Sequence, residues 1–248
     1  MDRWLNVRVS GHACWPTKET SIQFGGHDLI LRPATQDCDQ SVHINLRRIS
    51  DTDALTLINR FLSTVSWCDG QSLENHYGWS GNPIPVSVPK ASRQVGSSFA
   101  FPFHRELESD PKARLALALY REAVTVNSVP FEFLSYFKIL NIFWQDKKIT
   151  AKGGIVIHEI VDGIRNIMPL LKDSLAIDRI SAISKKNSDV AAYLYQSGRC
   201  AVAHAYITPL VDPDDVADVH RLSADMPIIR EIAEHLIESE LNIRRTLY

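Results

Sequence analysis

Apolar and polar residues alternate over Leu5, Val7 and Val9, the period-two spacing of a strand with one buried face. Ile22-Gln23-Phe24 and Leu29-Ile30-Leu31 flank Gly25-Gly26, which predicts two strands around a tight turn. Val42, Ile44 and Leu46 alternate again and predict a further strand. The period then changes. Leu55, Ile58, Phe61, Leu62 and Val65 form a helical stripe that Asp51 or Asp53 can cap and that Asp69-Gly70 can end. From Gly81 to Pro89 the prolines remove backbone donors, so this stretch is expected to be extended or looped. Residues 91 to 99, rich in Ser and Gly, read as a connection.

From about residue 110 the spacing is helical. Asp110-Pro111 offers an N-cap followed by proline at the first helical position, with Leu115, Leu119 and Ala123 after it. A second helix starts near Ser128-Val129-Pro130 and carries Phe133, Leu134, Phe137, Leu140 and Phe143 or Trp144, an aromatic content that suits a core. A third is expected over roughly 155 to 168, stopping before Pro169, and Asp189 opens a fourth that reaches Ala205. The last runs from Pro227 with Ile228, Ile232, Leu236 and Ile237 inward. Short links between these helices predict a bundle. The expected architecture is α+β: a β-rich recognition or interaction domain with one helix over residues 1–100, then an all-helical domain over 101–248.

Composition narrows the function classes. The 248 residues suffice for one large domain or two small ones, with 45% hydrophobic and 23% charged residues and no low-complexity tract. A net charge of −2 argues against broad, unspecific nucleic-acid binding but permits a local site. Cys14, Cys38, Cys68 and Cys200 form no CxxC pair, so no structural zinc site is expected. The first residues hold no run suited to a signal peptide, and no stretch approaches the ~20 apolar residues of a membrane helix. A cytoplasmic protein with reduced thiols is expected.

The segment from Tyr195 to Ala205 carries the most chemistry, because it places Arg199 and His204 with four residues between them. On a regular helix the two lie ~140° apart and can border one groove over a packed floor. A guanidinium and an imidazole there can pair with carboxylates and tie helices together. Lys138 can reach the same groove or extend into solvent. The acidic run Asp212, Asp214, Asp215 and Asp218 with His220 lacks diagnostic ligand spacing and reads as helix capping, so no metal is expected. His158-Glu159 lacks the second histidine of a zinc-protease helix and reads as a solvated face. His12, His27 and His43 show no evident partners. Trp67, Tyr77 and Trp79 surround a Gly-containing loop and suit core packing better than base stacking. No P-loop, dinucleotide fingerprint or serine-nucleophile motif is present, and no cofactor is expected.

An arginine followed after four to six residues by a histidine, late in an all-helical domain, resembles the HEPN superfamily. Three stretches resemble the methylamine utilization protein MauJ family: Phe131 to Asn141, Ser197 to Ala205, and Pro209 with Asp212-Pro213-Asp214-Asp215. The resemblance covers roughly residues 130 to 240 and implies a HEPN-like helical bundle that often forms oligomers. It further implies either metal-independent RNA cleavage, with His204 as acid/base and Arg199 as phosphate clamp, or a non-catalytic module. Cys200 stands where active members carry a polar residue, often Asn, and is a poor hydrogen-bond donor, which weighs toward the second. In that version Arg199, His204, Lys138 and Tyr195 bind a nucleotide or other phosphate-bearing ligand. The protein then regulates a separate effector enzyme, such as a sirtuin-like NAD hydrolase, in prokaryotic antiviral defence or a stress system.

Overall fold

The computed structural model describes residues 2–89, 105–145, 148–150, 156–204, 210–212 and 215–246. The expected connection at 91–99 lies outside the described residues. The chain divides into two compact units: Met1–Thr125 with Arg244–Tyr248, and Val126–Ile243. The architecture is α+β, with an antiparallel sheet in the first unit and mainly helices in the second.

In the first unit, strands β1 (Trp4–Gly11), β2 (Thr20–Phe24), β3 (His27–Arg32), β5 (Ser41–Asn45) and β6 (Leu73–Asn82) form a sheet ordered β2-β3-β5-β1-β6. Every neighbouring pair is antiparallel. The short strands β4 (Cys38–Asp39) and β7 (Val88–Pro89) pair separately. The alternation read from the sequence is therefore the pleat itself: Leu5, Val7, Val9, Leu29, Leu31, Val42 and Ile44 point into one core. Helix α1 (Asp51–Asp69) supplies the opposite wall with Leu57, Ile58, Phe61, Leu62 and Val65. Full burial of each such side chain contributes roughly 1.5–3 kcal/mol.

The ends of α1 follow from local chemistry. Its N-cap is Ser50 rather than Asp51 or Asp53: Asp53 N donates to Ser50 Oγ at 3.1 Å, and Ser50 Oγ donates to the Asp53 carboxylate at 2.6 Å. Gly70 ends the helix with φ 65°, a left-handed conformation that glycine adopts without strain. β6 replaces the expected aromatic loop. Its glycines and polar residues show no apolar stripe, and pairing along β1 makes it a strand.

Helix α2 (Pro111–Thr125) packs on α1 and belongs to the first unit, whereas the change of period at 110 had grouped it with the helices that follow. Periodicity identifies a helix but not its packing partner. Arg244–Tyr248 also returns to this unit. The Arg245 guanidinium lies 5.0 Å from the Trp67 ring and 5.6 Å from the Tyr120 ring, and donates to Tyr120 Oη at 2.7 Å.

The second unit is built on α3 (Val129–Phe143), whose Phe133, Tyr136, Phe137, Ile139 and Leu140 are buried as its aromatic pattern predicted. It is not all-helical, because β8 (Lys148–Thr150) and β9 (Val156–His158) form a hairpin. The helix expected from 155 is α4 (Glu159–Ile167), preceded by β9 and followed by a 3-10 turn, Met168–Leu170, that contains Pro169. Helix α5 (Ser174–Ser184) was not foreseen; only Ala176 and Ile183 are buried on it, too few to mark a stripe. Then come α6 (Val190–Tyr193), a π-helical segment (Leu194–Cys200) and α7 (Ala201–Ala203). Helix α8 (Val216–Ser239) packs on α3 and α5 and buries Ile228, Ile232, Leu236 and Ile237. It begins well before Pro227, which sits inside it rather than opening it. Tertiary packing along α8 outweighs the lost backbone bond at that proline. Among the described residues no helix is long and apolar enough to cross a membrane.

Candidate functional site

The helix expected from Asp189 to Ala205 is broken into three parts, and the break sets the geometry of its arginine and histidine. Asp189 does open it, accepting from Ala192 N at 3.1 Å. From Leu194 the winding widens to π, and Ala201 N donates to Gln196 O five residues back. Gly198 permits this segment to lie close to α3. A Cβ there would stand 2.5 Å from Phe133 Cζ, inside contact distance. Helical winding then stops at His204, whose φ −131° and ψ 114° are extended. The 140° separation of a regular helix therefore does not apply. Arg199 Nη1 and His204 Nε2 lie 3.4 Å apart, and both residues are half-buried.

Arg199 Nη1 faces His204 Nε2 across this contact. The Arg199 guanidinium also stands 5.7 Å from the centre of the Tyr195 ring. Tyr195 in turn meets the His158 ring edge-on at 4.5 Å and Phe137 at 6.3 Å. Arg199, His204 and Tyr195 thus form one half-open cluster on the π turn, backed by the aromatic core of α3.

Helix α8 holds that turn in place. Arg221 donates to the Ser197 carbonyl at 2.7 Å, inside the π segment. Its guanidinium also lies 3.8 Å from the carboxylate of Asp225, which is fully buried. Asp225 accepts from Arg179 Nε at 2.7 Å and from Tyr193 Oη at 3.1 Å, so one carboxylate joins α5, α6 and α8. Burial pushes this carboxyl up, and the bonds and charges of Arg179, Tyr193 and Arg221 only partly oppose it.

Tyr195 also lines a cavity of about 530 Å³. His158, Val161, Asp162, Arg165, Asp189, Ala192, Tyr195 and Gln196 line it. Arg165 bridges Asp162 and Asp189, reaching Asp189 Oδ2 at 2.7 Å. Burial raises the Asp189 carboxyl, but the backbone N–H of Ala192 and the Arg165 guanidinium outweigh it, and the group sits below the usual carboxylate range.

Residues 116–238 match the family model of methylamine utilization protein MauJ. No curated protein and no solved structure matches the chain. The MauJ-like stretch covers a little under half of the chain, from within α2 almost to the end of α8. It includes α3, the π segment, Arg199 and His204.

Within the MauJ-like stretch the structure joins Arg199, His204 and Tyr195, and Lys138 is exposed on α3. His158, read from the sequence as a solvated helix face, instead packs on Tyr195 and lines the cavity. No spacing signal could show this, because the two are brought together by folding alone. The acidic run caps: Asp215 accepts from Ala217 N at 2.8 Å and Asp218 from Asp212 N at 3.0 Å, while Pro209, Pro213 and Asp214 lie outside the described residues. Among the described residues no cluster of three His, Cys, Asp or Glu side chains could hold a metal.

In the first unit one expectation changes, and the core-packing reading of Trp67 holds. His43 does have partners: its Nδ1 donates to Asn6 Oδ1 at 2.8 Å, and Ser41 Oγ donates to its Nε2 at 2.9 Å. Trp67 is buried in α1 and Trp79 lies on β6, where its Nε1 donates to Asn82 Oδ1 at 2.9 Å, so these aromatics serve packing and strand structure.

Proposed function

We propose that the second unit is a HEPN-like module that binds a nucleotide or related phosphate-bearing ligand through Arg199 and His204, with Tyr195 beside them. The protein would act as a regulatory subunit of a separate effector enzyme in a prokaryotic antiviral defence or stress system. The observation that carries the binding reading is the 3.4 Å approach of a guanidinium and an imidazole on a half-open turn. A guanidinium offers planar, permanently charged donors to phosphate oxygens, and an imidazole adds a further donor. The effector role rests on the HEPN resemblance.

Cleavage of RNA is the second reading. Its general acid/base would be His204, with the Arg199 guanidinium 3.4 Å away as phosphate clamp. Cys200, a poor hydrogen-bond donor next to Arg199, favours binding over catalysis.

Calorimetric titration of the whole protein with AMP, GMP and inorganic pyrophosphate tests the proposal. Micromolar to millimolar binding that is weakened at least about tenfold by Arg199→Ala, and restored in part by Arg199→Lys, is expected. If none of the three binds, the reading fails. RNA cleavage in EDTA that disappears in His204→Ala would establish the ribonuclease instead. The effector role is tested separately by co-purification.

A further inference from the structure

We infer that the cavity lined by Tyr195 receives the base of the nucleotide whose phosphate lies at Arg199 and His204, and that it selects a base edged with hydrogen-bond donors, guanine first. This rests on the phosphate-binding reading and extends it to the identity of the ligand.

Three observations carry it. The first is continuity. Tyr195 borders both places: its ring stands 5.7 Å from the Arg199 guanidinium and 4.5 Å from the His158 ring, and it lines the cavity with His158. A ligand holding a phosphate near Arg199 and a flat group near His158 is therefore a single nucleotide passing one aromatic side chain. The second is size and shape. About 530 Å³ falls in the usual range for small-molecule sites, and Tyr195 offers an aromatic face beside the polar residues of the lining.

The third is the balance of donors and acceptors. Asp162, Asp189 and Gln196 bring five side-chain oxygens to the lining. Arg165 and the backbone N–H of Ala192 occupy part of that capacity. Each carboxylate can accept about four hydrogen bonds, so Asp162 and Asp189 keep capacity beyond the bonds from Arg165 and the backbone N–H groups. The complementary ligand edge presents donors. Guanine presents an N–H and an amino group side by side, which a carboxylate can accept together. Adenine and cytosine present an amino group beside an acceptor, and uracil presents a single N–H between two carbonyls. A uracil edge would set its carbonyls against carboxylate oxygens and leave polar groups unpaired, the costly situation for recognition.

The test titrates the whole protein with GMP, UMP, ribose 5-phosphate and inorganic phosphate. GMP is expected to bind about tenfold or more tighter than UMP and ribose 5-phosphate. Filling the cavity with Ala192→Leu should bring GMP down to the level of ribose 5-phosphate while ribose 5-phosphate itself binds as before. Gln196→Ala, at an exposed position, should narrow the difference between GMP and UMP without altering the thermal unfolding midpoint. Equal binding of GMP and ribose 5-phosphate overturns the base site and leaves the phosphate reading standing. A GMP preference that survives Ala192→Leu overturns its location. Failure of all four probes overturns the phosphate reading and the base site together.

Discussion

Arg221 on α8 donates to the Ser197 carbonyl at 2.7 Å and so clamps the π turn that presents Arg199. The clamp lies outside the half-open cluster but fixes its backbone. Arg221→Ala should weaken GMP binding several-fold and lower stability by about 1–3 kcal/mol, the usual cost of losing a charged hydrogen bond. Urea unfolding separates the two effects. Arg221→Lys, which keeps a charge near Asp225, should recover stability more than binding, because one ammonium does not reproduce the fork of a guanidinium. Equal recovery of both would mean that Arg221 only stabilises.

Gly198 sits against Phe133. Its replacement by Ala would put a Cβ 2.5 Å from Phe133 Cζ and 2.6 Å from Cε1. Gly198→Ala is expected to destabilise the second unit by about 1–3 kcal/mol, the range for overpacking. Combining it with Phe133→Leu should cost less than the two single changes added together, by about 0.5 kcal/mol or more. Additive unfolding energies would show that the turn can shift away from the ring.

His43 lies at the centre of the sheet, opposite Asn6 on β1. Burial, with the nearby Arg32 charge, lowers its pKa from 6.5 to about 4. The unfolded imidazole therefore takes up a proton at a higher pH than the folded one. Its contribution is fully present above about 6.5 and is lost as pH falls toward about 4. A shift of that size corresponds to about 3 kcal/mol. Urea midpoints measured between pH 7 and 4.5 should fall more steeply for the parent protein than for His43→Gln. Parallel slopes would count against this account.

Arg245 covers Trp67 and Tyr120, donating to Tyr120 Oη at 2.7 Å and to the Trp67 carbonyl at 3.3 Å. Arg245→Ala should cost about 2 kcal/mol through the lost ring contacts and hydrogen bonds. Hydrogen exchange locates the effect: protection should fall in α1 and α2 and stay unchanged in α3 and α8. Uniform loss in both units would contradict the division of the chain.

Much of the sheet was legible because its strands alternate. Val7, Leu31 and Val42 are apolar where the pleat turns inward. β6 was not, since its partner β1 rather than its own pattern makes it a strand. The chemistry of the site was legible as residue types, and its geometry was not. A helical wheel keeps Arg199 and His204 apart, whereas the π turn and the extended backbone at His204 bring them together. Nothing local in residues 194–200 announces a π turn, which depends on Phe133 and Arg221 from distant helices. His158 and Tyr195 are equally remote in sequence, so the cavity they line becomes visible only after folding.

Residues 126–243 are interposed between Tyr120 and the arginine that packs on its ring. During translation the α1–α2 pair emerges first yet lacks Arg245 until the entire inserted stretch has been made. At cellular elongation rates that wait is on the order of ten seconds. The helical insert thus has time to acquire its own structure before the sheet-bearing unit receives its closing side chain.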